Sequence, residues 1–219
     1  MHGILFSIYT AFILCAGSVF GACVLKRRAE ETFPLSLLAI TLWLYAFYLF
    51  DWLRVGYWSA VALCGACYAA SAVSLLKSRD VRGALARLFT PAMAAFALVM
   101  LVVVLWTPKY VQLCDELRYW AAVPKALYYN ERLLLGENAI LWSGMFNTYF
   151  PGMQLFQYFF AKTRRVFSEN HLFVSYCLLS LSVFLPALKR LRWRDALLVP
   201  FAALLILSAP QTFANQSAD

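Results

Sequence analysis

ILFSIYTAFILCAGSVFGACVL, residues Ile4 to Leu25, runs straight into Lys26-Arg27-Arg28, and the fold turns on how this stretch is read. It holds no Asp, Glu, Lys or Arg. A helix rises ~1.5 Å per residue and the hydrocarbon layer is ~30 Å thick, so an uncharged apolar run of about 20 residues has the length of a transmembrane helix. A secretory signal would need basic residues before the apolar run and a shorter core. Here Met1-His2-Gly3 carries no such charge, and the basic cluster follows instead. Under the positive-inside rule that cluster puts the C-terminal end of the helix in the cytoplasm and the N-terminus outside.

The same grammar repeats along the chain. Pro34 to Phe50, Val55 to Leu76, Leu88 to Trp106, His171 to Leu188 and Ala196 to Pro210 are also free of Asp, Glu, Lys and Arg, the first and last of these five being short. Lys77, Arg79, Arg82 and Arg87, and Lys189, Arg190, Arg192 and Arg194, fall on the cytoplasmic side once six crossings are counted. The sequence is 63% hydrophobic and 14% charged over 219 residues, with a mean hydropathy of +0.69. Soluble domains carry about a quarter charged residues, so a water-soluble fold is excluded. The net charge of +8 is topological, and no nucleic-acid partner is expected.

The predicted fold class is all-α, a polytopic transmembrane bundle of about six helices with a long extracytoplasmic loop carrying amphipathic interfacial helices. Three parts are expected: a four-helix membrane region over 1–106, the loop over 107–165, and two further crossings with an outer tail over 166–219. Both termini are expected outside the cytoplasm, in the cytoplasmic (inner) membrane. Cys15, Cys23, Cys64, Cys67 and Cys177 fall inside apolar blocks and only Cys114 falls in the loop. Cys64 and Cys67 therefore read as small packing residues on one helix face rather than as a metal or redox pair. Gly17 and Gly21 form G-x-x-x-G, read as close packing within the bundle ahead of dimerisation. Pro91, Pro186 and Pro200 are expected to kink their helices.

The apolar blocks contain no buried charge path, so chemistry is expected in the loop. Its first half, from Leu113 to Tyr129, has the helical spacing of an interfacial amphipathic helix. Asp115, Arg118, Tyr119, Ala122 and Lys125 share one broad face, Glu116, Trp120 and Val123 lie beside it, and Pro124 is expected to bend it between Trp120 and Lys125. The second half, Tyr149 to Phe160 with Lys162, Arg164 and Arg165 after it, is too short to span. It reads as a helix half-immersed at the outer surface, basic side chains reaching for headgroups or a phosphate.

An Asp-Glu pair just after an apolar helix, Tyr119-Trp120 and Lys125 following, then Tyr149-Phe150-Pro151-Gly152 and an aromatic helix, resembles the GT-C membrane glycosyltransferases. The dolichyl-phosphate-mannose-protein mannosyltransferase-like and aminoarabinose transferase-like branches are the most similar. The resemblance covers Trp106 to Asp219 and makes the chain the N-terminal portion of such an enzyme, without the family's later helices and distal domain. It implies a polyprenyl-phosphate sugar donor, membrane lipids as partners, Asp115 as the catalytic acid of the first loop, Glu116 as its acidic neighbour and Asp219 as the second-loop acid. Substrate binding would involve Tyr119, Trp120, Lys125, Tyr149, Arg164, Arg165 and Asp219.

The chemistry needs one carboxylate. A polyprenyl phosphate leaves as an anion stabilised by cations, so Asp115 can serve as the base that takes the acceptor hydroxyl's proton. Glu116 would orient it or help hold a divalent cation through oxygen ligands, with Lys125, Arg164 or Arg165 neutralising the phosphate. Plainer readings stand beside these. Asp115 can be a helix N-cap, Glu116 and Arg118 a solvated face, Lys125 a snorkelling side chain, and Tyr119, Trp120, Tyr128 and Tyr129 an interfacial belt. Other functions open at this point are a non-catalytic membrane subunit and a polysaccharide polymerase or flippase.

Overall fold

The computed structural model describes residues 2–106, 121–131, 152–196 and 198–200. The described residues form helices and turns, with no strand among them. In chain order these are α1 (His2–Cys23), α2 (Ala29–Leu49), α3 (Leu53–Ser78), α4 (Val81–Leu88), α5 (Pro91–Trp106), α6 (Ala122–Asn130), α7 (Gly152–Arg164) and α8 (Glu169–Ser182), followed by a 3-10 turn at Leu185–Arg190.

Among the described residues, α2 and α3 are each long and apolar enough to cross a membrane, and α4 with α5 pass the same test as one bent span. The apolar part of α1, Ser7–Cys23, is shorter. Large apolar side chains such as Leu42, Val55, Leu76 and Leu105 stand exposed on the outside of these helices. Such surfaces suit lipid. Between helices in lipid the hydrophobic effect vanishes, leaving close packing and hydrogen bonds to hold the bundle.

Close packing is visible where α1 meets α2, and hydrogen bonding where it meets α3. A Cβ on Gly17 would fall 2.2 Å from the Ser36 Cβ, and one on Gly21 would fall 2.5 Å from the Thr32 Cγ2. The G-x-x-x-G face is thus spent inside the bundle. Tyr68 of α3 stacks on Phe12 of α1 at 3.9 Å and donates to the Phe12 carbonyl, and Ser74 donates to the Cys23 carbonyl at 2.8 Å. Cys64 is buried in the apolar core and Cys67 packs beside it.

The uncharged block starting at Pro34 underestimates α2, whose first turn begins at Ala29 and includes Glu30 and Glu31. Glu30 is fully buried. The Thr90 hydroxyl donates to its Oε2 at 2.8 Å, while the Arg28 Nε lies 2.6 Å from Oε1, a charge contact that lacks hydrogen-bond geometry. Thr90 sits at the break where Pro91 lacks an N–H and disfavours helix at the residue before it. The expected kink is there a division into two helices bent by 47°. Pro186 likewise lies in the 3-10 turn and not inside a longer helix.

The short helix α7 departs furthest from expectation. It was read as half-immersed at the surface, yet Gln154, Leu155, Phe156, Gln157, Tyr158, Phe159, Phe160 and Ala161 are all buried. It packs against α1, α2, α6 and α8. Thirteen residues rise about 20 Å, too little to cross the hydrocarbon. Length excludes a span but leaves open a half-length helix enclosed by other helices, the setting in which such elements are tolerated at membrane depth.

Charges gather at the two ends. Arg28 donates to the Lys189 carbonyl, Lys189 pairs with Glu31, and Arg87 donates to the Ala22 carbonyl, so the basic clusters 26–28, 77–87 and 189–190 share one end. At the opposite end Arg54, Glu131 and Lys162 meet. Lys26, Asp51, Arg79, Glu131 and Arg165, the non-glycine residues of positive φ among those described, each follow the end of a helix, and all five are charged.

Candidate functional site

The opposite end is assembled from three helices. The left-handed turn at Glu131, whose N–H closes on the Leu127 carbonyl at 2.9 Å, stops α6 beside the last turn of α7. Glu131 Oε1 accepts from Lys162 Nζ at 2.8 Å, and its Oε2 lies 3.5 Å from Arg54 Nε at the start of α3. The Lys162 ammonium also sits 4.8 Å from the centre of the Tyr128 ring and 5.9 Å from that of Tyr158. Both are within cation–π range. Tyr158 meets Tyr57 of α3 edge-on at 6.3 Å. Burial, with Tyr129 adding to it, pushes the Tyr128 phenol up from its ordinary value.

Gln154, Tyr158 and Lys162 follow at i, i+4 and i+8 and stack on one face of α7. That face leads inward from the ionic cluster. The Gln154 Oε1 and the Tyr158 hydroxyl are buried with no hydrogen-bond partner. On the side facing α8, Gln157 donates through Nε2 to the Leu172 carbonyl at 3.1 Å while its Oε1 has no partner, and the same holds for Arg164 Nε and His171 Nδ1. An unmade buried hydrogen bond costs about 1–3 kcal/mol. Gathered on one helix and its neighbour, these atoms form a polar seam inside the packed helices.

Asp115, Glu116, Tyr119, Trp120, Tyr149 and Asp219 lie outside the described residues, as does the expected face joining Asp115 to Lys125. Lys125 is exposed on α6. Pro124 occupies the first turn of that helix, where its missing N–H is least costly. Arg164 and Arg165 separate: Arg164 is half-buried toward His171, whereas Arg165 is exposed in the left-handed turn after α7. The structure thus brings Lys162, Glu131 and Arg54 together, a grouping the sequence reading missed. Gln154 and Gln157 inside an otherwise aromatic helix signal the burial of α7, and nothing local signals the ionic grouping. Among the described residues no three His, Cys, Asp or Glu side chains converge for a metal. No protein-family model, curated protein or solved structure matches the chain.

Proposed function

We propose that the chain is a multi-pass protein of the cytoplasmic membrane, with about six crossings and both termini outside, that transfers a sugar from a polyprenyl-phosphate donor to an envelope acceptor at the outer face. The observation that carries the reading is the end of the bundle formed by Arg54, Glu131 and Lys162, where the Lys162 ammonium stands beside the Tyr128 and Tyr158 rings. Cations match a phosphate leaving group, and the partly exposed Tyr128 ring matches a sugar face.

In this reading the Asp115 carboxylate removes the acceptor hydroxyl's proton as that oxygen attacks the anomeric carbon, and the carbon–phosphate oxygen bond breaks to release the phosphate as an anion. Glu116 orients Asp115 or shares a divalent cation with it, and Lys125, Arg164 or Arg165 balances the phosphate charge. Tyr119, Trp120, Tyr149 and Asp219 complete the substrate surface. Asp115→Asn should abolish transfer from a radiolabelled polyprenyl-phosphate sugar, a loss of about a hundredfold or more, while membrane insertion and thermal melting stay unchanged. Full transfer by that variant would remove the proposal.

A further inference from the structure

A groove of about 560 Å³ opens at the basic end between the last turns of α1 and α3. Val24, Ala70 and Val73 give it an apolar wall, and Lys26, Lys77 and Ser78 border it. Ser74, also in the lining, is spent on the Cys23 carbonyl and holds the two helices at this spacing.

Lys26 shares its counter-ion, and Lys77 has none among the described residues. The carboxylate nearest to Lys26 is Asp80, 4.0 Å away, and it is already engaged by Arg87 at 2.8 Å and by the Gly83 N–H at 3.1 Å. Lys77 is exposed in the last turn of α3. Ser78 Oγ accepts from the Asp80 N–H at 3.4 Å, which leaves its own proton to donate. Because α3 is a candidate membrane span, its terminal residues 77 and 78 fall at the depth of lipid headgroups, while Ala70 and Val73 fall one to two turns further into the hydrocarbon.

We propose that this groove seats one anionic phospholipid, its phosphodiester between Lys26 and Lys77 with Ser78 donating to it, and one acyl chain against Val24, Ala70 and Val73. Lys77 without a counter-ion and Lys26 sharing the already engaged Asp80 at 4.0 Å, both above an apolar trough, match an anion that carries a hydrocarbon tail. A soluble anion would leave the trough unused. The small Ala70 gives the chain room, and the assignment is independent of the transferase reading.

The test uses the full chain in nanodiscs of phosphatidylcholine with increasing phosphatidylglycerol, read by thermal melting and by native mass spectrometry of retained lipid. One retained phosphatidylglycerol and a melting point rising with its fraction are expected. Lys26→Ala with Lys77→Ala should weaken retention about thirtyfold, following the attraction of each lysine to an anionic surface. Arg82→Ala with Arg192→Ala, removing equal charge elsewhere, should leave retention intact. Val73→Trp keeps the charges but fills the trough, and should also lose the lipid, which guards against misfolding of the double-lysine variant. Equal loss in the arginine control, retention in Val73→Trp, or the same melting rise with inorganic phosphate in pure phosphatidylcholine would overturn the assignment.

Discussion

At the scale of single residues, two polar side chains make opposite cases, one with several partners and one with none. Asp80 caps α4 through the Gly83 N–H and bonds Arg87, and the Arg87 guanidinium is the main reason its carboxyl is held below the usual 3.8. A depressed carboxyl contributes stability that is present above its unfolded-state value and lost as pH falls through the folded one. The stability gap between the native chain and Asp80→Asn should therefore shrink as pH drops below about 4; a gap constant to about pH 2, followed by circular dichroism in detergent, would contradict this. Tyr158 is the opposite case, since its buried hydroxyl has no partner to lose. Tyr158→Phe should leave stability unchanged or raised, by up to about 1 kcal/mol, and on the proposed function should lower sugar transfer. A destabilised variant with unchanged transfer would give the hydroxyl a purely structural role. Little of this was legible beforehand, because Lys162 and Glu131 are 31 positions apart and no local pattern announces their pairing.

Individual helices were easier to read. Uncharged length alone finds α2, α3 and α5, because hydrocarbon excludes charge whatever the neighbours are, and passes over the arginine-bearing α4. The spacing of Gly17 and Gly21 also foretold a close contact, and Ser36 and Thr32 on α2 supply its other side. Gly21→Val would drive a branched side chain into Thr32 and should cost about 1–3 kcal/mol. Unfolding in mild detergent would measure it; an unchanged midpoint with loss of a dimer would move that face to the outside of the bundle. The misreading of α7 has a definite cause. Apolar length reports whether a segment can cross lipid but is silent on whether other helices will surround it. Gln154, Gln157 and Thr163, all buried, belong to a helix enclosed by protein.

For the whole molecule, the pattern of basic clusters anticipates that residues 26–28, 77–87 and 189–190 share one end. Trp52 and Arg82 lie near opposite ends and are both exposed. In a cysteine-free background, Trp52→Cys should react with a membrane-impermeant maleimide on intact cells, and Arg82→Cys only after permeabilisation. The reverse labelling would invert the topology and remove the outer-face transferase. What the chain-wide pattern could not supply is how α6, α7 and α8 nest, which depends on ring contacts such as Tyr128 with Phe167 at 5.6 Å.

The charged residues in left-handed turns after α1, α2, α3, α6 and α7 bear on how the protein meets membranes of different thickness. Glycine would relax each of those turns, yet a charge at the same place resists being drawn into oil. Helices ended in this way resist sliding along their own axes. A thicker or thinner bilayer is then met by tilting the bundle as a unit or by deforming the surrounding lipid.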